Sequence, residues 1–456
     1  MHPVDLVIRG RRVVTPQGTG PASVHITRGY ISSISIFEDV PDGCELIEAD
    51  DPSVVMPGLV DSHVHINEPG RTDWEGFATA TRAAAAGGVT TIVDMPLNSI
   101  PATTTLDGLN EKLRAAEGQL HVDVGFWGGV VPGNTSELPK LWEAGVVGFK
   151  CFLVPSGVDE FPNVTEIDLS MAMPVLARLQ ALLIVHAELP GPIEAACCGQ
   201  PVEPGNAASR YQTFLDSRPG NAEDEAVALM IQRSRQIGCS IHIVHLSSAG
   251  ALGLIRKAKA DNIEIGVETC PHYLHFAAED IADGATEFKC CPPIRSRENR
   301  EQLWNALRDG AIDMIVSDHS PCPPEMKLPG QGDFMKAWGG ISSLQLRLPI
   351  IWTEARARGF ELTRLVEWLC TAPARQVGLN LKGSLTAGAD ADIVIWNPDA
   401  EFRVEPAMLH HRHKLTPYAG EMLKGVVEKT FLRGQIVYDG GEFSEPIGEI
   451  VLRNRN

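Results

Sequence analysis

The chain has 456 residues and a formal charge of −19 at pH 7, with 44% hydrophobic and 21% charged residues. This composition is typical of a folded globular protein, and the acidic balance disfavours a nucleic-acid backbone or an anionic membrane surface as a partner. No stretch approaches the ~20 apolar residues of a membrane span, and the first residues, MHPVDLVIRGRRVV, lack a signal-peptide pattern. We therefore expect a cytoplasmic protein that acts on a small molecule.

The ten cysteines include no CxxC pair, which predicts free thiols in a reducing compartment. Residues 1–57 read as short strands and turns, the first part of a β-sandwich. From residue 58 strands alternate with helices, the signature of a parallel sheet. Eight strands are predicted, and eight close a (β/α)8 barrel of the TIM type. They end near His65, Met95, Trp127, Lys150, His186, His245, Thr269 and Asp318.

Within the barrel, predicted over 58–382, Asp73 is a candidate N-cap for the helix FATATRAAAA, which Gly87 and Gly88 should end. The Pro- and Gly-rich segment CPPEMKLPGQGDFMKAWGG is predicted to be a loop over the site, and helices should fill 341–379. Strands and turns return over 383–456. Because residues 1–57 are too few to bury a sheet alone, we expect both ends of the chain to form one small discontinuous β-sandwich domain.

His63 and His65 close the apolar run VVMPGLVDSHVHI. At the two-residue period of a strand, both imidazoles leave on the same face. A lone buried histidine is usually a hydrogen-bonded core residue, but two on one face at a strand end indicate a metal site. Such a metal needs further ligands from elsewhere in the chain.

Four more candidate ligands stand at predicted strand ends: Lys150, His186, His245 and Asp318. Barrel active sites form at the carboxyl ends of the strands, so these side chains should meet His63. Lys150 fits only if carbon dioxide converts its amine to a carbamate, which can bridge two cations. Two dications bring +4 while carbamate, Asp318 and a bridging hydroxide bring −3, and the remaining +1 suits a neutral substrate whose transition state gains negative charge.

The other histidines are assigned to lesser roles. His242 and His245 have opposite parity on one strand, so we expect His245 to face the interior and His242 to pack against the outer helices. Residues that support the site from a second layer or a loop are predicted at His272, His275 and His319. The cluster His410, His411 and His413 is expected to be a solvated surface.

The pattern resembles the amidohydrolase superfamily, in its cyclic amidase branch of dihydroorotases, hydantoinases or dihydropyrimidinases, and allantoinases. The resemblance covers nearly the whole chain and is carried by MPGLVDSHVHINEPG, GGVTTIVDMPLNS, VVGFKCFLVPSG, IVHLSSA, VETCPHYL, KCCPPIR, VSDHSPC, AWGGISSLQ and GSLTAGADADIVIWNP. It implies a TIM-type barrel with a small β-sandwich, two divalent metals and an N6-carboxylated Lys150. Zinc is the expected metal, with cobalt, manganese or iron also compatible, and a homo-oligomer (dimer or tetramer) is implied.

Within the branch, dihydroorotases show HxHxRxPG, whose arginine holds a substrate carboxylate, whereas this chain has Asn67 at that place. NEPGRTDWEGF and KCFLVPSGVDEF resemble allantoinases, which open the hydantoin ring of uncharged allantoin to allantoate. The alternative is a hydantoinase or dihydropyrimidinase; less favoured are a dihydroorotase and a non-catalytic scaffold. The resemblance makes Asp318 the catalytic proton acceptor, and Asn67, Asn98, Ser156 and Cys291 candidate substrate contacts.

Overall fold

The computed structural model describes residues 4–198 and 206–453. The first part of the chain is entirely β-structure up to the barrel, as the sequence predicts. Several of its strands have many exposed or half-exposed residues, which is typical of a sheet with one solvated face, whereas the last strand before the barrel is fully buried. Their bounds are β1 (Leu6–Thr15), β2 (Gly18–Thr27), β3 (Tyr30–Ser35), β4 (Glu45–Glu48) and β5 (Val54–Pro57).

Eight parallel strand positions follow and form the barrel, because β8 and β9 are one strand interrupted at Trp127. These strands are buried almost throughout, as parallel strands covered by helices must be. The predicted TIM-type class is confirmed. The strands are β6 (Leu59–Val64), β7 (Val89–Asp94), β8 (Asp123–Phe126), β9 (Gly128–Gly129), β10 (Phe149–Phe152), β11 (Leu183–His186), β12 (Ile241–Ile243), β13 (Ile265–Thr269) and β14 (Met314–Ile315).

The barrel closes between its first and last strands through backbone and side-chain hydrogen bonds. His65 N donates to the His319 carbonyl over 2.8 Å. The fully buried Arg347 donates to the carbonyls of Val60 (2.9 Å) and Ile315 (3.2 Å), one on each strand, and lies 3.5 Å from the Asp61 carboxylate. Arg347 therefore links β6 to β14 at the seam, which is the place where the first and last barrel strands meet.

The helices that cover the barrel agree with the predicted alternation. One detail is wrong: Asp73 does not cap the first helix, which begins after Gly76, and the Glu68 carboxylate accepts from Phe77 N instead (2.8 Å). Gly87 ends this helix as predicted. The bounds are α1 (Phe77–Ala86), α2 (Leu106–Ala116), α3 (Leu138–Ala144), α4 (Glu166–Leu179), α5 (Pro190–Cys198), α6 (Tyr211–Ser217), α7 (Asn221–Ile237), α8 (Leu252–Ala260), α9 (Pro271–His275), α10 (Arg297–Asp309), α11 (Arg347–Ala357), α12 (Leu362–Val366) and α13 (Ala372–Gln376).

The last strands return to the first sheet. β5 pairs antiparallel with the first of them, so that Val55 lies opposite Ile395, and the sheet order is β18-β17-β16-β15-β5-β1-β2-β3 with β4 beside β1. One sheet thus contains strands from both ends of the chain; the division at 57/58 and 382/383 stays a prediction. These strands are β15 (Ile393–Arg403), β16 (Met422–Leu432), β17 (Gln435–Asp439) and β18 (Glu442–Phe443).

Two further findings bear on the composition arguments. Within residues 4–198 and 206–453, no helix has the length and apolar character needed to cross a membrane. The nine cysteines whose side chains the structure describes are free thiols.

Candidate metal centre

A cavity of about 260 Å³ opens at the carboxyl ends of the barrel strands. Its wall contains every residue that the sequence predicts as a metal ligand, although these residues come from five different strands. The segment after Asp318 covers one side through Trp338 and Gly339, as predicted for a loop over the site. The six predicted ligands that line the cavity are His63, His65, Lys150, His186, His245 and Asp318.

His63, His65 and Asp318 form the tightest group. Oδ1 of Asp318 lies 3.2 Å from His63 Nε2 and 3.5 Å from His65 Nε2. The three side chains are all buried and offer ligand atoms within 4.8 Å of one another, which is a suitable geometry for one cation. The predicted HxH pair therefore faces one point together with the aspartate of the last strand.

Lys150 lies inside β10 rather than at its end, because that strand continues to Phe152. Its Nζ is buried without a hydrogen-bond partner and lies 4.9 Å from the centre of the Phe152 ring. Burial lowers the pKa of Lys150 to about 8, against the opposing effect of the Glu268 and Asp318 charges. An unpartnered buried amine fits the prediction that this group is converted to a carbamate.

His186 and His245 lie on the other side of the cavity, with ring centres 4.6 Å apart. His186 ends β11, whereas His245 lies two residues beyond β12 and has a positive φ of 39°. Nδ1 of His245 is buried without a partner. The two rings therefore lie next to each other at the cavity wall.

Burial controls the charge state of this cluster. It lowers the pKa of His65 to about 4 and also lowers the pKa values of His186 and His245. By itself burial would raise the pKa of Asp318, but His63 and His65 outweigh it and hold that pKa far below its ordinary value. Neutral imidazoles and an ionised carboxylate are the forms that bind cations.

Glu268 of β13 lies beneath the cluster and was missed by the sequence reasoning. Its Oε1 is 2.5 Å from His63 Nδ1 and its Oε2 is 2.9 Å from His242 Nε2, and all three side chains are buried. Burial alone would raise the pKa of Glu268, but the two histidines lower it to about 2. Such an acceptor fixes the tautomer of His63 and leaves Nε2 free for a cation.

The contact with Glu268 corrects the prediction for His242, which faces the barrel interior and not the outer helices. The parity argument failed because it assumed an extended chain from His242 to His245. Extended pairing ends at Ile243, and the left-handed backbone at His245 returns that side chain to the interior.

Glu188 supports His186 in a comparable way. Its Oε2 lies 2.7 Å from His186 Nε2, and Arg218 holds the carboxylate with two hydrogen bonds, that from Nε to Oε1 being 3.0 Å. Burial would raise the pKa of Glu188, but Arg218 and His186 lower it to about 2. The sequence contained a signal for Glu188, since His186 and Glu188 are two residues apart in VHAE.

The predicted substrate contacts have different outcomes. Asn98, Ser156 and Cys291 line the cavity, and Asn98 Nδ2 lies 3.4 Å from His65 Nδ1. Asn67 does not line it: this fully buried side chain has a φ of 67°, and its Nδ2 donates to the Pro321 carbonyl over 3.4 Å. The prediction of a direct contact between Asn67 and the substrate is corrected accordingly, because the turn directs the amide away from the cavity.

Other lining residues were not predicted. Trp338 contributes an indole whose Nε1 is buried without a partner, and its ring packs edge-on against Trp74 at 4.9 Å. Lys289 also lines the cavity, but its Nζ donates to the Met335 and Ala337 carbonyls. No periodic pattern could identify these loop residues as part of the site.

The remaining histidines are dispersed. His272 is fully buried beside Asp318, and Nδ1 of His319 accepts from Ser343 N over 3.3 Å. His411 is not on a solvated surface as predicted: it is 1% exposed and its ring lies 5.4 Å from that of His319. The loop before β16 folds back onto the barrel and buries it.

His275 is not part of the metal centre. Its Nδ1 lies 2.8 Å from the Glu354 carboxylate, and its Nε2 lies 3.8 Å from that of Glu421. Burial by itself lowers the pKa of His275, but the two carboxylates outweigh it and raise that pKa above its ordinary value. This residue therefore stabilises the fold in its charged form.

Comparison with known proteins places this centre in a family. Residues 54–437 match the amidohydrolase family model. The chain belongs to the amidohydrolase family. It is 51% identical to an allantoinase of Streptomyces avermitilis, over 99% of this chain and 100% of that protein. It is also 52% identical to a mitochondrial allantoinase of Aquarana catesbeiana, over 82% of this chain and 76% of that protein.

Among solved structures, this amidohydrolase is similar to an L-hydantoinase (dihydropyrimidinase) from Arthrobacter aurescens. The TM-score is 0.91 and the identity 32%, and the match covers 99% of this chain and 100% of the other. The fold is thus shared with enzymes of cyclic amides, whereas the sequence is more similar to allantoinases.

Proposed function

We propose that this amidohydrolase hydrolyses the hydantoin ring of allantoin to give allantoate. The observation that carries the proposal is the 51% identity, over nearly the full length of both chains, to the Streptomyces allantoinase. The buried cluster at the barrel mouth supplies the side chains that such a hydrolysis needs. Asp318 and the five other predicted ligands surround one cavity.

We propose that the centre holds two divalent cations, zinc or a neighbouring first-row metal. His63, His65 and Asp318 would hold one cation, His186 and His245 the other, and Lys150 would bridge them as a carbamate formed with carbon dioxide. Support comes from three buried ligand atoms without partners: His63 Nε2, Lys150 Nζ and His245 Nδ1. Buried polar atoms that lack a protein partner are expected where a ligand completes them.

When bound, the cations supply Lewis-acid polarisation of the ring carbonyl and lower the pKa of water. The chain supplies the rest. The Asp318 carboxylate is placed to accept the proton of the attacking water and to pass it to the departing ring nitrogen. Glu268 and Glu188 hold His63 and His186 in the required orientation, and Trp338 excludes water from the covered side of the cavity.

Asn98, Ser156 and Cys291 are proposed substrate contacts because they line the cavity. Ser156 donates its hydroxyl to the Phe161 carbonyl (2.6 Å) and accepts from Val158 N (3.4 Å), which leaves one acceptor position for a donor of the substrate. The substrate is a small neutral cyclic amide rich in such donors.

A hydantoinase or dihydropyrimidinase activity is the second candidate, favoured by the TM-score of 0.91 to the Arthrobacter enzyme. The deciding experiment measures kcat/KM of the metal-replete protein for racemic allantoin, hydantoin, dihydrouracil and dihydroorotate, with Asp318→Asn as the inactive control. Allantoin should be preferred by a large factor. Faster turnover of dihydrouracil would assign the second candidate. No turnover of any of the four would contradict both, and turnover of dihydroorotate alone would indicate a dihydroorotase.

We further propose a cytoplasmic homo-oligomer, a dimer or a tetramer. The acidic charge and the absence of a membrane-spanning helix among the described residues are compatible with this location. Light scattering on the eluting protein measures the mass directly, and a mass of one chain, 49.3 kDa, would contradict the proposed assembly.

A further inference from the structure

A second cluster of metal-binding side chains lies behind Asp318. Cys270, His272 and Asp318 are all buried, and each offers a ligand atom within 4.8 Å of the other two. Cys270 directly follows β13, and His272 lies in α9, which begins at the next residue. Both side chains therefore lie beyond the carboxyl end of β13, next to Asp318. This thiol and this imidazole belong to neither half of the proposed binuclear centre.

His272 gives an independent indication of a ligand. Its side chain is fully buried, and neither Nδ1 nor Nε2 has a hydrogen-bond partner. A neutral imidazole has one donor and one acceptor, and leaving both unpaired in the interior costs free energy. We therefore expect a bound group that pairs with a ring nitrogen of His272. The Cys270 thiol and the Asp318 carboxylate offer further ligand atoms for such a group within 4.8 Å.

We propose that Cys270, His272 and Asp318 form an additional, inhibitory site for a thiophilic divalent cation such as Zn²⁺ or Cd²⁺. Sulfur and imidazole ligands select these ions over Mg²⁺, Ca²⁺ and Mn²⁺, which prefer oxygen. Asp318 also lines the active-site cavity, so the cluster shares one side chain with that cavity.

The consequence for turnover follows from the shared aspartate. Oδ1 of Asp318 already faces His63 and His65. An ion held between Cys270 and His272 competes for the same carboxylate and removes it as a proton acceptor. Excess zinc or cadmium should therefore inhibit. This effect on turnover rests on the proposed function, whereas binding of the ion does not.

The test uses the full-length holoprotein and Cd²⁺ as the probe. None of the six ligands of the binuclear centre is a cysteine, so a cadmium–thiolate charge-transfer band in the ultraviolet cannot come from that centre. Cysteine variants then assign the band to one of the free thiols of the chain. We expect the parent chain to develop this band with one equivalent of Cd²⁺, and Cys270→Ser to lose it. His272→Gln should keep the band but weaken Cd²⁺ binding by at least about tenfold, since loss of a direct ligand should cost no less than loss of a partner that only orients a ligand.

Two cysteine variants serve as controls. Cys239→Ser removes a buried thiol far from the cluster, whose Sγ lies 3.6 Å from the Ser240 carbonyl, and should leave the band unchanged. Cys291→Ser removes the partly exposed thiol that lines the cavity. The proposal is overturned if the parent shows no band, or if the band survives in Cys270→Ser; its loss in Cys291→Ser would then identify the cavity thiol as its source. This experiment measures Cd²⁺ binding and uses no allantoin, so its result can be interpreted even if the protein does not hydrolyse allantoin.

Discussion

Replacing Glu268 by glutamine should weaken cation binding without removing any ligand. The carboxylate accepts from His63 Nδ1 over 2.5 Å and from His242 Nε2 over 2.9 Å, and it is 1% exposed. A glutamine amide has one acceptor oxygen and one donor group, so only one of the two imidazole N–H groups keeps its acceptor. If His63 faces the amide NH₂, its proton moves to Nε2, the atom needed for the cation.

The size of the effect can be worked from that contact. A hydrogen bond to an ionised acceptor contributes about 1.5–3 kcal/mol. Each 1.4 kcal/mol is about a tenfold change in an equilibrium constant, so the dissociation constant of the cation held by His63 should rise about ten- to a hundredfold. This agrees with the range seen when partners of metal-binding histidines are removed.

The assay is a competition titration of the metal-free protein with Zn²⁺ and a chromophoric chelator. Glu264→Gln is the matched control, because Glu264 precedes the same strand but is exposed and only accepts from Ser240 Oγ. Thermal unfolding of both variants separates a loss of affinity from a loss of structure. The reasoning is refuted if Glu268→Gln is folded and binds two zinc ions as tightly as the parent.

Four further predictions follow from the same structure. Lys150→Ala should lose binuclear metal binding and activity, and a short carboxylic acid should restore part of both; an alanine variant with two metals and near-normal turnover would contradict the bridge. Asp318→Asn should lower kcat by at least ~10²-fold, the low end for acid–base catalysis, and wild-type kcat in a metal-loaded variant would exclude that role. Arg347→Met removes the charged partner of the buried Asp61 carboxylate, which keeps the backbone donors His63 N and Ser317 N, and should cost about 3–5 kcal/mol of unfolding free energy in urea. An unchanged midpoint would show that Arg347 does not stabilise the seam. The pKa of His275 in the folded state lies above 6.5, so its protonation stabilises the fold fully below pH 6.5, and this stabilisation is lost as the pH rises through the folded pKa. The free energy of unfolding should therefore fall more steeply above pH 6.5 in the parent than in His275→Gln. Parallel pH profiles of the two proteins would refute this coupling.

Sequence patterns were enough to predict the fold class and the six candidate ligands. Alternating apolar strands and helices predict a parallel barrel, and HxH at the end of a buried strand predicts a metal site. Strand ends in a barrel converge on one face, so Lys150, His186 and Asp318 could be assigned to the cavity without knowledge of their distances. The barrel is observed and the six residues line one cavity, because both inferences depend on periods of two and on the common direction of parallel strands. Their role as ligands stays a prediction.

The side chains that support the candidate ligands could be identified only from the folded chain. Glu268 contacts His63 across 205 residues of chain, and local periodicity does not encode such a pair. The parity argument for His242 and His245 failed because a left-handed residue interrupts the alternation after β12. Asn67 lies outside the cavity for a similar reason: a positive φ of 67° turns its amide toward Pro321. Sequence patterns predict side-chain directions only for a regular backbone, whereas Asn67, His245 and Asp318 have positive φ angles just beyond the ends of the barrel strands.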